Sequence, residues 1–107
     1  MLAPVLAIHR FRVPVDRRQE FRPAVDVALE HFRSRPGVES VDLVRNLDDP
    51  QLWALVTRWR DVGSYRRAIG GAAATYALMP VMPYAIDEPS AYLPEDELGE
   101  NVPRGGF

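Results

Sequence analysis

The chain has 107 residues, a net charge of -2, no cysteine, and thirteen basic residues that are all arginine. Its length is that of one domain, and its charge balance leaves no basic surplus to release phosphate counterions, so nucleic acid is not an expected partner. Without cysteine there are no disulfides, thiolate nucleophiles or Cys-type zinc sites, and without lysine there is no Schiff base or Walker-type phosphate ligand. The start, MLAPVLAIHRF, has no basic segment before its apolar run and carries arginine by residue 10. It reads as neither a signal peptide nor a membrane span, and the expected location is cytoplasmic.

Val5 to Val13 alternates as a strand, with Val5, Ala7, His9, Phe11 and Val13 on one face and Leu6, Ile8, Arg10 and Arg12 on the other. Pro14 closes it. Asp16 followed by Gln19 is a capping-box pattern, and Phe21, Val25, Ala28, Leu29 and Phe32 mark an apolar stripe at helical spacing. Pro23 predicts a kink in that helix or marks its first turn. The helix is expected to end at Ser34 or Arg35, because Pro36-Gly37 cannot continue it.

Val38 to Asn46 and Gln51 to Arg60 are rich in β-branched and aromatic residues, and Asp48-Asp49-Pro50 between them is turn chemistry. Asp61 then caps a short helix through Tyr65 and Ile69, which Gly70-Gly71 breaks. Ala72 to Ala85 favours helix by its alanines, with Pro80 and Pro83 predicting a break near its end. Ser90 to Leu93 reads as a short last strand. The order β-α-β-β-α-(α)-β predicts an α+β, ferredoxin-like split βαβ domain with a four-stranded antiparallel sheet over residues 1–93. Pro94 to Phe107 forms an acidic, then glycine-rich tail with little to build a core, expected to be ordered only where it docks on its own domain or a neighbouring subunit.

Three elements in this order resemble the antibiotic biosynthesis monooxygenase domain family of the dimeric α+β barrel group. They are the R-P-G-V helix exit, the N-x-D-D-P turn at Asn46 to Pro50, and Trp59 at the end of the third strand followed by a helix. The resemblance runs from about Leu6 to Leu93. It implies a homodimer joined through its sheets to form a dimeric α+β barrel, with a cavity in each subunit between sheet and helices. Some members oxidise polycyclic phenols or anthrones with dioxygen and use neither metal nor flavin. The resemblance therefore implies a small hydrophobic aromatic ligand of polycyclic or quinol type and no cofactor. Others degrade haem or act on small quinones, and fold alone does not choose among them.

From the cofactor-free oxygenases the resemblance carries over Trp59 and Tyr65, whose six-residue spacing matches a substrate-contacting pair. Other positions depart from the pattern. Thr57 stands where many relatives have glutamate, Leu55 or Ala54 where the oxygenases have an assisting asparagine, and Arg66 to Ile69 where many have a histidine. His9 occupies the position of a first-strand asparagine of the haem-degrading branch, and the rest of that set is missing, so haem degradation is not expected.

His9, mid-strand among apolar neighbours, faces either the cavity or the dimer interface. As a near-neutral base it could remove a phenolic proton, and it could equally be a hydrogen-bonded core residue. His31 is expected at the surface, and the two histidines lack an acidic ligand pattern for a metal. Trp59 reads as a stacking platform for a planar substrate or as a core plug. Trp53 reads as core or interface. Tyr76, Met79, Met82 and Tyr84 could line a pocket or simply pack. Arg58, Arg60, Arg66 and Arg67 read as a solvated face paired with Asp61, or as an anion clamp. Three functions fit: a cofactor-independent monooxygenase, a non-catalytic dimer that binds a small ligand or partner, or a cyclase or isomerase of the same barrel group.

Overall fold

A computed structural model describes residues 4–98 of the chain. Strand β1 (Val5–Arg12) leads into helix α1 (Arg18–Arg33), hairpin strands β2 (Val38–Arg45) and β3 (Leu52–Trp59), helix α2 (Val62–Ile69), helix α3 (Gly71–Leu78), strand β4 (Ala91–Tyr92) and a last helical turn α4 (Glu95–Leu98). The sheet order is β2-β3-β1-β4, with all neighbours antiparallel. This is the α+β, ferredoxin-like arrangement expected from the element order.

The sheet buries one face against the helices. Val5, Ala7 and Phe11 of β1 and Leu55, Thr57 and Trp59 of β3 are buried there, packed on Phe21, Val25, Ala28, Leu29 and Phe32 of α1. Each large aromatic of that set contributes roughly 1.5–3 kcal/mol by leaving water. The opposite face carries Leu6, Ile8, Ala54 and Val56, partly exposed, with Ile8 opposite Val56 and the other two opposite Arg58 and Arg10.

The hairpin turn is built from local hydrogen bonds. The Asn46 side-chain oxygen accepts from the amides of Asp48 at 2.9 Å and Asp49 at 2.8 Å, and Asp49 accepts from the Gln51 amide at 2.9 Å. Gln51's amide and the neighbouring Arg12 guanidinium hold the Asp49 carboxyl below its usual range. At the other end of the hairpin, Gly37 has φ of +89°, a left-handed conformation that disfavours side chains. A Cβ at this position would also collide with the Ser64 side chain at the start of α2. Gly37 thus fixes how closely the helix after β3 approaches the hairpin. Asp61 caps that helix as expected, accepting from the Ser64 amide at 2.7 Å.

Several expectations need correction. The Asp16 capping box does not form, because residues Val15–Arg17 first make a 3-10 turn and α1 starts at Arg18 without a side-chain cap. Pro23 lies inside α1, past its first turn. The break expected near the end of the alanine-rich helix is present: α3 stops at Leu78, and Met79–Tyr84 continues as a 3-10 helix in which Pro80 and Pro83 have no amide to extend the α-helical ladder. The last strand shrinks to Ala91–Tyr92, and the tail begins with the turn α4. The expected docking of the tail falls largely on residues 99–107, outside the described residues.

Candidate functional site

The sheet and helices separate around the middle of β1. His9 lies on the inner face, opposite Leu55 in the register of β3. On its other side, the chain between the 3-10 helix and β4 is tied to β1 at two points. The Ile86 amide donates to the Arg10 carbonyl at 2.9 Å, and the Ile8 amide donates to the Ser90 carbonyl at 2.7 Å. Between these anchors the segment has three residues, Asp87, Glu88 and Pro89, against the single residue His9 of β1, so regular pairing is interrupted. The gap is a cleft of about 70 Å³, lined by His9, Phe32, Leu55, Leu78, Val81 and Met82, with Arg10, Glu88 and Ser90 at its rim. Arg10 and Glu88 form a bidentate ion pair, at 2.7 and 2.6 Å. The pair holds the Glu88 carboxyl below its ordinary range.

His9, Trp59 and Tyr65, the candidates named from sequence, belong to one aromatic cluster. His9 stacks on Phe32 with ring centres 6.0 Å apart and lies 6.3 Å from the Tyr65 ring. Trp59 meets Phe32 edge-on at 6.0 Å and Tyr65 at 6.1 Å. Phe32 and Tyr65 therefore bridge His9 to Trp59. Burial pushes the His9 pKa down, so the ring is neutral at physiological pH. Its Nε2 is buried and has no hydrogen-bond partner among the described residues. Tyr65 is pushed up, mainly by burial, against the opposing effects of a hydrogen bond with Ser90 and the charge of Arg66. The cluster thus holds a neutral imidazole and a protonated phenol.

Trp59 is wholly buried, and its Nε1 donates to Thr57 Oγ1 at 2.8 Å. It lines neither the His9 cleft nor the groove beyond Tyr65. Thr57, two residues earlier on the same strand face, satisfies the indole. Tyr65 shares a 3.2 Å hydrogen bond with Ser90 and lines a second, outer groove of about 300 Å³ with Val5, Val62, Arg66 and Ile69.

The other candidates separate. His31 is partly buried rather than at the surface, and its Nε2 lies 2.8 Å from the Ala68 carbonyl, tying α1 to α2. Met82 lines the cleft, whereas Tyr76 and Met79 are exposed. Tyr84 packs on Phe21 and donates to Glu20. Trp53 also packs on Phe21, under the Arg45 guanidinium. Arg60 pairs with Asp61 at 3.4 Å. Phe32 and Ser90 join the site without a sequence signal for it: the first lies in the apolar stripe of α1, and the second meets Tyr65 only through a contact 25 positions apart. No group of three His, Cys, Asp or Glu residues among the described residues could hold a metal ion, and no described helix is long and apolar enough to cross a membrane.

Comparison with known proteins places this architecture. The profile of the antibiotic biosynthesis monooxygenase family matches residues 4–73, and the chain belongs to that family. Among solved structures, it is similar to a conserved protein from Methanosarcina mazei (TM-score 0.73, 15% identity, covering 86% of this chain and 91% of that one). It is also similar to SnoaB, a cofactor-independent oxygenase from Streptomyces nogalater (TM-score 0.71, 19% identity, 84% and 91% covered). Rv0793 from Mycobacterium tuberculosis is a third (TM-score 0.69, 19% identity, 97% and 100% covered). Likeness at these identities concerns the fold. No curated protein matches the sequence significantly.

Proposed function

We propose that the chain is a cofactor-independent monooxygenase acting on a hydroxylated aromatic small molecule of quinol or anthrone type. The observation that carries this reading is His9: a neutral ring lining an apolar cleft between sheet and helices, its buried Nε2 without a hydrogen-bond partner among the described residues. A neutral imidazole there can take a proton from a substrate hydroxyl or from an activated ring CH2. The resulting electron-rich anion reduces dioxygen directly. With an anthrone, one oxygen atom becomes the new carbonyl and the other leaves as water with the two hydrogens of the oxidised carbon. With a quinol, one oxygen adds at a ring C–H as a hydroxyl, the other leaves as water with the two phenolic hydrogens, and the ring ends as a hydroxyquinone. Tyr65, kept protonated, donates to the substrate oxygen on which the charge settles. Trp59 supports Phe32 and Tyr65 from behind and holds the walls of the site in place. The working unit in this proposal is a homodimer, formed through the partly exposed sheet face of Leu6, Ile8, Ala54 and Val56.

Oxygen uptake with naphthoquinol and anthrone substrates tests the reading, comparing the native chain with His9→Phe, Tyr65→Phe and Trp59→Phe. Loss of the base is expected to lower turnover by roughly 10²–10⁴-fold. Undiminished turnover in His9→Phe would refute the base assignment. One observation favours a second reading, a ligand-binding dimer without turnover: the Trp59 indole is already satisfied by Thr57 and faces no cavity described above. That reading expects saturable binding without oxygen consumption.

A further inference from the structure

The His9 cleft is too small to act alone. At about 70 Å³ it falls short of the roughly 150 Å³ cavity that admits one benzene, and further short of the roughly 300 Å³ at which small-molecule sites begin. The outer groove beyond Tyr65 reaches about 300 Å³ and shares two lining residues with the cleft, Glu88 and Ser90. The Tyr65 Oη–Ser90 Oγ hydrogen bond links a residue of the groove to a residue that lines both spaces. At 3.2 Å it is long for a pair of hydroxyls, whose usual separation is about 2.7–2.8 Å. The Ser90 backbone is anchored, since its carbonyl accepts from the Ile8 amide at 2.7 Å. Its side chain can change partner by rotating about a single torsion.

We propose that cleft and groove are two halves of one site and that Ser90 is its specificity-determining residue, selecting fused-ring phenols by binding their oxygen. The inference rests on the aromatic-ligand reading above and does not require turnover. A ligand entering from the groove replaces the bond between the two hydroxyls. Its oxygen then accepts from both Tyr65 and Ser90, one ring points toward His9, and the second ring lies along Val62 and Ile69. A ligand of one ring fills only one half. A fused ring system without oxygen breaks the Tyr65–Ser90 bond and returns nothing for it.

The test is anaerobic calorimetric titration of the full chain with naphthoquinol, naphthalene and hydroquinone. Ser90→Ala is expected to cut the preference for naphthoquinol over naphthalene about tenfold, the worth of about one hydrogen bond, chiefly by tightening naphthalene, which no longer has a Tyr65–Ser90 bond to break. Ser90→Thr, which keeps the hydroxyl, is expected to restore most of that preference. Val62→Trp fills the exposed end of the groove and is expected to weaken both two-ring compounds but not hydroquinone. An equal change for naphthoquinol and naphthalene in Ser90→Ala would show a merely structural serine and overturn the proposal. So would native affinities in Val62→Trp, or no binding of any probe by the native chain. Binding with this pattern but without oxygen uptake in air leaves the bipartite site standing and removes the oxygenase reading.

Discussion

Replacing Thr57 with valine isolates what holds Trp59 in place. The two side chains are nearly the same shape, so the substitution leaves little cavity and removes the acceptor for the indole N–H. Both residues are completely buried, so no water can replace the lost partner. An unsatisfied buried donor costs about 1–3 kcal/mol. For a domain near this size each kcal/mol lowers Tm by about 4–8 °C, so the expected depression is roughly 5–20 °C. Thermal unfolding followed by circular dichroism gives the number. A cycle with Trp59→Phe and the double variant gives the coupling, expected to reach at least about 0.5 kcal/mol for side chains in direct contact. Trp59→Phe alone should be less stable than the native chain, and adding Thr57→Val to it should cost less than in the native background. An unchanged Tm in Thr57→Val, or strict additivity in the cycle, would refute the argument that this bond fixes the indole.

Gly37→Ala is expected to lower Tm by roughly 5–15 °C. The left-handed backbone alone costs about 1–2 kcal/mol with a side chain present, and the new methyl meets the buried Ser64 side chain. A native melting temperature would show that the approach of α2 to the hairpin is not tight. His9 makes stability fall on acidification: the unfolded ring protonates near its ordinary value of 6.5, while burial lowers the folded pKa. Its contribution is therefore fully present above about pH 6.5 and is lost as pH falls through the lower folded value. His9→Phe should flatten that part of the Tm profile, and an imidazole titrating at or above its ordinary value by NMR would contradict it.

The elements that could be read from sequence are those whose determinants are local. Pro36-Gly37, the Asn46 to Pro50 turn and the Asp61 cap each act within a few residues, and each is present in the structure. The capping box at Asp16 failed although its pattern is equally local, because the chain leaving β1 makes a 3-10 turn before α1 begins. The site was harder to read because its parts meet through tertiary contacts. His31 looked superficial until α2 brought the Ala68 carbonyl to its ring, 37 positions away. Ser90 carries no sequence signal of its own. For Trp59 a signal was present in the chain: Thr57 lies two residues earlier in a strand, hence on the same face, and within reach of the indole.

The site therefore divides between a fixed wall and a variable one. The fixed wall is β1, β3, α1 and α2, where Phe32, Thr57, Trp59 and Tyr65 interlock and where the family match lies. The other wall, Leu78 to Ser90, begins beyond residue 73, where that match ends, and is 3-10 helix and extended chain for most of its length. It supplies Val81, Met82, Glu88 and Ser90 to the cleft, and only two backbone hydrogen bonds tie Ile86 and Ser90 to β1 among the described residues. Changes in the first wall should appear as changes in Tm, because each side chain there is a packing partner of the next. Changes in the second should appear as changes in which ligand binds. A Met82→Ala variant separates the two: Met82 lines the cleft yet is largely exposed, so the site widens with little loss of core. Its expected signature is a near-native Tm with altered preference between one-ring and two-ring ligands, and a large fall in Tm without such a change would reverse the division.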